Sequence, residues 1–272
     1  MKQELNIGKD ETILEEEFTN GLGRLVFYHP VGTFALSPAS HIMLKAISQN
    51  KDRLHGTGID WGTGIGCLAI LAAKISTVDK LYGLDISKEN IETAQKNALS
   101  NGVADKVRFV RGDSYCPYLT EDQREIDCLR GNVDFIVSNP PSSDEDDGFG
   151  FRRMVMNGAK NFLKKDGIVL LNVSFQYGAQ RVASLHRNES GFSYEGLAAS
   201  TDWVPFDLTR PDLLHCLNDY AAEESNGGIE YTFGDGEDSG IFHNARTALK
   251  QYQQSGVSPL TKWQTHLFRY SG

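Results

Sequence analysis

The sequence predicts an α/β fold, with a doubly wound, mostly parallel, seven-stranded sheet. An N-terminal hairpin and helix should precede the sheet, and a helical insertion should precede its last strand. Two observations support this fold. Apolar strand segments alternate with helical segments between residues 57 and 173. The first strand also ends in the turn Gly62-Thr63-Gly64-Ile65-Gly66, which leads directly into an apolar helical segment. Such alternation is typical of βαβ units, which join parallel strands.

The segment ahead of the glycine turn is expected to hold a hairpin and one helix. Residues 1–20 are polar, and we interpret them as an extension or a loose first helix. Residues 25–28 and 33–36 are predicted to be two paired strands. Ser37 followed by Pro38 indicates a helix start, because Ser caps helices and Pro fits the first helical position.

The remaining elements of the sheet follow in alternation. Some helix boundaries are recognisable: Ser87 is a typical N-cap residue, and Asn101-Gly102 is a typical helix end. The predicted order is strand 57–61, helix 67–75, strand 80–85, helix 88–100, strand 107–111, strand 133–138, helix 151–164, strand 168–173, helix 180–185, strand 196–200 and strand 265–270.

The segment before the last strand departs from this alternation. Residues from about 203 to 262 form a long interruption, with two helices expected near 211–222 and 241–252. We therefore divide the chain into an N-terminal extension, hairpin and helix over residues 1–50 and a main domain over residues 51–272 that carries this insertion.

Composition and charge disfavour several classes of function. The 272 residues include 36 acidic and 27 basic ones, a formal net charge of -9, which disfavours extended binding to nucleic acid. The four cysteines and seven histidines show no metal-ligand spacing, so no metal site is predicted. Neither a signal segment nor an apolar run long enough for a bilayer is present, so we expect a cytoplasmic protein without membrane contact. The sequence does not determine an oligomeric state.

Polar residues follow the predicted strands at the points where they end. The first strand is followed by the glycine turn, the second by Asp85 and Ile86, the third by Asp113 and Ser114, and the fourth by Asn139. Right-handed crossovers place these strand ends on one edge of the sheet, where open α/β sheets bind ligands. Glycines allow a ligand to approach the backbone, and a helix N-terminus favours a negative or strongly polar group. We therefore predict a ligand site at this edge.

Two classes of cofactor use a glycine-rich turn of this kind. The dinucleotide fingerprint G-x-G-x-x-G would need a glycine at the position of Cys67. Here the third glycine is Gly66 instead, and all three follow Asp60. This D-x-G-x-G-x-G pattern resembles the first motif of class I S-adenosylmethionine-dependent methyltransferases. A nicotinamide-dependent oxidoreductase is the less favoured alternative.

The resemblance implies a Rossmann-like methyltransferase fold with S-adenosyl-L-methionine as the cofactor. Asp85 matches the acidic residue that binds the ribose hydroxyls, and Asp113 matches the position that contacts the adenine amino group. Phe34 lies in a segment that resembles the cofactor-covering segment of small-domain relatives. The full set of cofactor-binding residues implied is Asp60, Gly62, Thr63, Gly64, Gly66, Asp85, Ile86, Asp113, Ser114, Asn139 and Phe34.

The end of the fourth strand carries a second motif. Ser138-Asn139-Pro140-Pro141 resembles the N-P-P-aromatic motif of amino-methyltransferases that act on protein glutamine, adenine N6 or guanine N2. In that family the Asn side-chain oxygen and the carbonyl of the first Pro accept hydrogen bonds from the target nitrogen. The resemblance therefore implies catalytic roles for Asn139 and Pro140 and substrate contacts for Pro141 and Ser142.

The fourth position of this motif departs from the family, because Ser142 stands where relatives have an aromatic residue. Phe149, Phe151 or an aromatic residue of the insertion would have to replace it. The acidic run 144–147 is expected to disfavour polyanionic substrates. The predicted function is methyl transfer to a nitrogen acceptor: a protein side-chain amide, a nucleobase or a small-molecule amine. A non-catalytic cofactor-binding partner subunit is the alternative that Ser142 leaves open.

Overall fold

The computed structural model describes residues 5–7, 10–33, 36–143, 146–187, 191–236 and 240–272, and the structural statements below refer to these. Its first three strands, β1 (Leu5–Ile7), β2 (Glu11–Leu14) and β3 (Leu25–Tyr28), form a small antiparallel sheet. The strand predicted over 25–28 is confirmed, but its partner is β2. The predicted partner strand 33–36 includes residues 34 and 35, which lie outside the described residues, and the N–H of Thr33 donates to the carbonyl of Pro30 at 3.0 Å. The segment interpreted as an extension or a loose first helix instead contains β1 and β2.

The error at the N-terminus has a physical explanation. Buried residues alternate with half-buried ones along β2, and with half-buried or exposed ones along β3. Leu14, Leu25 and Phe27 thereby reach the core from a segment that is otherwise polar. A strand of four residues needs only two apolar positions on its buried face, which is too weak a pattern to distinguish from a polar extension.

Helix α1 (Pro38–Gln49) begins as predicted, with Ser37 as its N-cap and Pro38 in the first position. Ser37 Oγ accepts from the backbone N–H of Ser40 at 3.3 Å, and Ser40 Oγ accepts from the backbone N–H of Ser37 at 3.2 Å. This reciprocal pair is a capping box, and it fixes the start of the helix beside the central sheet.

The central part of the chain alternates between strands and helices as predicted. Helix α4 is an addition that we did not predict. The elements are β4 (Gly56–Trp61), α2 (Cys67–Ala73), β5 (Val78–Asp85), α3 (Lys88–Ser100), β6 (Val107–Asp113), β7 (Cys116–Pro117), α4 (Thr120–Asp127), β8 (Val133–Ser138), α5 (Gly150–Phe162), β9 (Leu163–Asn172), α6 (Gly178–Ser184) and β10 (Phe192–Ser200).

The insertion and the last strand complete the fold. Both predicted helices of the insertion are confirmed, although the second begins later than expected because Asn244 caps it, accepting from the N–H of Thr247. The elements are β11 (Val204–Pro205), α7 (Pro211–Ser225), β12 (Phe233–Gly234), β13 (Phe242–His243), α8 (Ala245–Ser255), β14 (Leu260–Thr261) and β15 (Gln264–Tyr270).

The central sheet has the order β10-β15-β9-β8-β4-β5-β6-β7. Strands β6, β5, β4, β8 and β9 pair in parallel, while β15 runs antiparallel to β9 and β10. The sheet has eight strands rather than seven, because the short β7 folds back on the end of β6. The chain leaves β4 towards β5 and later returns on its other side as β8. The boundary between β4 and β8 is therefore the switch point at which open sheets bind ligands.

Both faces of the sheet are covered. Phe135 and Val137 of β8 belong to one core with the apolar residues of α1 and α2, whereas Ile136 belongs to a second core with α5 and the insertion. No helix of the described residues is both long and apolar enough to cross a membrane. The division of the chain at residue 50 stays a prediction.

Candidate active site

The glycine turn after β4 combines two kinds of glycine. Gly62, Gly64 and Gly66 all have positive φ angles, of 69°, 55° and 87°. A Cβ at Gly62 would meet no atom within 4 Å, so this glycine is open to the space above the sheet. A Cβ at Gly66 would lie 2.9 Å from Phe109 Cζ and 3.0 Å from Ala94 Cβ. Gly66 therefore serves the packing of α2 on the sheet, and the structure does not place it in the ligand site.

Asp60 lies beneath the turn and is fully buried. Its Oδ2 accepts hydrogen bonds from Thr63 Oγ1 at 2.7 Å and from the N–H of Ala69 at 3.0 Å. Its Oδ1 has no partner among the described residues. Burial raises the pKa of this carboxyl to about 7. Asp60 thus ties the glycine turn to the start of α2. It lies beneath the glycine turn, whereas the sequence predicted that it contacts the cofactor directly.

Asp85 braces the turn from the neighbouring strand. Its Oδ2 accepts from the N–H of Gly64 at 2.8 Å, and its Oδ1 accepts from the N–H of Ser87 at 2.9 Å and from Asn90 Nδ2 at 3.1 Å. Each carboxylate oxygen can accept about two hydrogen bonds, so capacity remains for a ligand. Asp85 and Ile86 both line the cavity above the turn.

The end of β6 forms the third side of this cavity. Asp113 is exposed there, and Ser114 adopts a positive φ of 55°. Ser114 Oγ accepts a hydrogen bond from Trp61 Nε1 at 2.8 Å, which joins β6 to the end of β4. A non-glycine residue in this conformation costs free energy, and such positions are common at functional sites.

We name the space between these strand ends the turn cavity. It has a volume of about 370 Å³ and includes eight of the predicted cofactor-binding residues: Gly62, Thr63, Gly64, Asp85, Ile86, Asp113, Ser114 and Asn139. Its apolar walls were not predicted: Trp61, Leu68, Leu84, Phe151 and Met154. Phe34 lies outside the described residues.

The lining of the turn cavity fits a nucleoside without phosphates. Carboxylates at two strand ends can accept hydrogen bonds from hydroxyl and amino groups, and the apolar walls can cover a planar base. The described residues that line the cavity include no Lys or Arg, the usual side-chain partners of a pyrophosphate. The open space at Gly62, which a side chain would reduce, adds room for a ligand at the backbone.

The Asn-Pro-Pro loop begins where β8 ends. Ser138 Oγ donates to the carbonyl of Trp61 at 2.9 Å, which holds the start of the loop against β4. Asn139 Nδ2 donates to Ser40 Oγ at 3.3 Å. Pro140 is buried and Pro141 is exposed.

A second cavity lies on the far side of this loop, and we name it the loop cavity. It has a volume of about 480 Å³ and is lined in part by Asn139, Pro140, Pro141 and Ser142. Asn139 and Pro141 line both cavities. The loop is therefore the wall that the two cavities share.

A buried arginine that we did not predict holds the loop in place. Arg152 of α5 is 3% exposed, and its guanidinium lies 4.5 Å from the centre of the Tyr177 ring. It donates hydrogen bonds of 3.0 to 3.2 Å to four backbone carbonyls, those of Pro140, Pro141, Gly148 and Asn172. The Pro140 carbonyl, predicted to accept from a target nitrogen, thus already has a protein donor.

An aromatic residue of the insertion lies beside Ser142. Tyr220 of α7 lines the loop cavity together with Ser142 and donates through its hydroxyl to Tyr177 Oη at 3.1 Å. Burial raises the pKa of Tyr220 well above its usual value. Of the predicted replacements for the missing aromatic, Phe149 is buried in the core and Phe151 faces the turn cavity. The insertion is therefore the source of the neighbouring ring.

The acidic run after the loop has mainly internal partners where it is described. Residues 144 and 145 lie outside the described residues. Asp146 Oδ1 accepts from Ser143 Oγ and from the N–H of Gly148, each at 2.6 Å. Asp147 pairs with Arg153 at 2.5 Å and with the buried Arg181 at 3.3 Å. These contacts hold the loop, and the two arginines neutralise Asp147. The positions of Asp146 and Asp147 therefore do not support the prediction that the acidic run disfavours polyanionic substrates.

Comparison with known proteins places this site in a family. A family model described as methyltransferase small domain matches residues 25–188. The chain is similar to the release factor glutamine methyltransferase of Chlorobaculum tepidum, with 25% identity over 189 residues, which are 61% of this chain and 60% of the relative. It is also similar to the release factor glutamine methyltransferase of Nitratidesulfovibrio vulgaris, with 32% identity over 130 residues, 47% of this chain and 39% of the relative. The chain thus spans about three-fifths or less of the length of these two relatives.

The fold is also found among solved structures. The crystal structure of a methyltransferase from Pyrococcus furiosus superposes with a TM-score of 0.50 at 16% sequence identity, over 90% of this chain and 88% of that one. This likeness confirms the predicted architecture of the sheet.

Proposed function

The chain belongs to the methyltransferase small domain family, and on that premise we propose that it transfers a methyl group to a nitrogen atom of an acceptor bound in the loop cavity. Membership of the family confirms the predicted class and its cofactor, S-adenosyl-L-methionine. The nitrogen acceptor and the roles of individual residues are our proposal.

One observation carries this proposal: the turn cavity and the loop cavity meet at Asn139 and Pro141. A methyl group must travel in line from its donor to the attacking lone pair, so donor and acceptor need adjoining sites with a gap between them. The turn cavity has the lining for a nucleoside, and the loop cavity adjoins it at Asn139 and Pro141. Transfer at Asn139 follows from this arrangement.

The residues of the turn cavity would hold the cofactor by distinct means. Asp85 would accept from the ribose hydroxyls, Asp113 would accept from the adenine amino group, and the backbone at Gly62 and Gly64 would face the methionine end. When bound, S-adenosylmethionine supplies an electrophilic methyl group on a sulfonium. Asp60 would act from below by keeping the turn in its binding conformation.

Asn139 supports nitrogen as the attacking atom. Its amide oxygen can accept a hydrogen bond from an N–H group but is too weak a base to deprotonate a hydroxyl, so it orients a lone pair that already exists. Pro140 O would contribute only through the lone pair that Arg152 leaves free. Tyr220 would provide part of the wall that Ser142 lacks.

The relatives and the net charge of the chain bear on the class of acceptor. The two relatives compared are named for glutamine in release factors, and a side-chain amide is one of the three acceptors that we propose, with nucleobases and small amines. The insertion, which contributes α7 to the loop cavity, would select among them. The net charge of -9 places extended nucleic acids last.

The proposal is tested by separating cofactor binding from transfer. Calorimetry should show binding of S-adenosylhomocysteine and none of NADH. Labelled S-adenosylmethionine, incubated with protein, RNA and small-amine fractions, then identifies the acceptor class. Asn139→Ala should bind S-adenosylhomocysteine within about twofold of wild type and lose at least about 100-fold in transfer. Full transfer by Asn139→Ala would contradict the role of the loop, and exclusive binding of NADH would contradict the function itself.

A further inference from the structure

A side chain near the N-terminus of α1 forms a hydrogen bond with the Asn-Pro-Pro loop. Ser40 is 4% exposed, lines the turn cavity, and accepts a hydrogen bond from Asn139 Nδ2 at 3.3 Å. This is the only hydrogen bond that the Asn139 side chain makes within the described residues. The amide oxygen therefore keeps its full capacity to accept from a ligand.

We infer that Ser40 is a positioning residue, which fixes the side-chain amide of Asn139 with its oxygen available at the point of methyl transfer. The inference rests on the proposed function and deepens it. An asparagine can present either its oxygen or its NH2 group to a site, and only the oxygen can accept from an acceptor nitrogen. A protein that uses the oxygen needs a partner for the NH2 group on the other side.

The hydrogen bonds around Ser40 favour this orientation when the Ser40 hydroxyl donates to Ser37 Oγ. Ser40 Oγ accepts from the N–H of Ser37 at 3.2 Å, and its own hydrogen can go to Ser37 Oγ at 3.2 Å. One lone pair then remains on Ser40 Oγ, and it can pair only with a donor. The donor that Asn139 offers is its NH2 group, so the amide oxygen is directed away from α1.

Capping of α1 by Ser37 does not explain why the Ser40 side chain contacts Asn139. Ser37 Oγ caps the helix by accepting from the backbone N–H of Ser40, a bond that any residue at position 40 would provide. The reciprocal position of a capping box is usually Glu or Gln. Ser is shorter, and its hydroxyl stays buried within reach of Asn139.

A pair of cofactor analogues can report on this orientation without any knowledge of the acceptor. Sinefungin carries an amine on the carbon that replaces the methyl-bearing sulfur of S-adenosylmethionine, whereas S-adenosylhomocysteine has no group there. The ratio of their dissociation constants, measured by calorimetry, therefore reports whether a hydrogen-bond acceptor faces the transfer position. Ser40→Ala should lower the preference for sinefungin by about 5- to 10-fold, while the affinity for S-adenosylhomocysteine stays within about twofold.

Three further variants make the test specific. Ser37→Thr changes the N-cap residue but keeps a hydroxyl that can cap α1 and accept from Ser40 Oγ, so its preference for sinefungin should equal that of wild type. Ser40→Cys keeps the volume of the side chain but offers only a weak acceptor, so it should lose the preference with the fold intact. Ser40→Ala combined with Asn139→Ala should lose no more than Asn139→Ala alone, because the two residues act as one unit.

The outcomes separate this inference from the proposed function. If wild type binds neither analogue, the proposed function is wrong. If both analogues bind and the Ser40 variants keep the wild-type preference, the inference about Ser40 is wrong. An equal loss in Ser37→Thr would also overturn it, because the effect would then come from any change at the N-terminus of α1.

Discussion

The two halves of the candidate site are built in different ways. The turn cavity is formed mainly by the ends of three strands, and several hydrogen bonds at these ends join residues close in sequence, as Asp60 with Thr63 and Asp85 with Ser87. The loop cavity depends on long-range contacts made by buried side chains, such as Arg152 with Pro140. The first half is built on strand ends that the parallel sheet brings together, whereas the second also needs the insertion and α5 in place.

This difference matches the demands on the two cavities. A cofactor site has to bind the same molecule in every member of the family, and a short turn with fixed spacing achieves this. An acceptor site has to change between members, and loops and insertions can change while the sheet stays the same. Substitutions in the two halves should therefore differ in their effects on stability and on ligand affinity.

The largest effect on stability is expected at Arg152. Arg152→Leu removes the guanidinium donor of four backbone carbonyls, three of them in buried hydrogen bonds, and we expect a loss of about 5 kcal/mol in the free energy of unfolding. Arg153 of the same helix is partly exposed and pairs with Asp147, so Arg153→Leu is the matched control, with an expected loss of about 1 kcal/mol. Denaturation in urea measures both. Equal losses in the two variants would show that the loop does not depend on Arg152.

The second effect is a dependence of stability on pH that originates at Asp60. The pKa of this carboxyl is about 7 in the folded protein against an ordinary value of 3.8, so the folded state binds the proton more tightly than the unfolded state. Its contribution to stability is therefore fully present below about pH 4 and is lost as the pH rises to about 7. The loss amounts to about 4 kcal/mol.

Asp60→Asn isolates this contribution from those of other groups. The amide cannot titrate, but its oxygen can still accept from Thr63 and Ala69. The unfolding free energies of wild type and Asp60→Asn are measured from pH 4 to pH 8. Relative to the variant, wild type should become less stable as the pH rises. A difference that is constant over this range would mean that Asp60 is ionised throughout.

The smallest effect distinguishes the two kinds of glycine in the turn. Gly66→Ala adds a methyl group against Phe109 at a positive φ, and we expect a loss of about 3 kcal/mol in stability. Gly62→Ala meets no neighbouring atom and should lose only about 1 kcal/mol through its backbone conformation. Calorimetry should then show the larger loss of S-adenosylhomocysteine affinity, about tenfold, in the less destabilised Gly62→Ala. The opposite order of affinities would place Gly66 at the ligand after all.

Errors in the sequence interpretation concentrate where contacts are distant or patterns are short. The turn, the strand ends and the Asn-Pro-Pro loop could be predicted because each motif lies within a few residues at the end of a strand. Arg152 could have been noticed, because it shares a helix face with Val155, Met156 and Ala159, where a charged residue is unusual. The partner of β3 could not, since four residues with two apolar positions predict no unique pairing.

The sequence by itself determined the sheet, the site at its carboxyl edge, the class of cofactor and the loop at which transfer is proposed. The sheet and the site follow from local rules, because right-handed crossovers bring the strand ends to one edge. The cofactor class and the loop follow from the resemblance of two short motifs to those of a methyltransferase family. Only the tertiary structure decided that Asp60 and Gly66 support the turn from below, that Arg152 engages Pro140, and that Ser40 contacts Asn139 across 99 residues of chain. Such contacts depend on how α1, α5 and the insertion pack on the sheet, and no local pattern in the sequence encodes that packing.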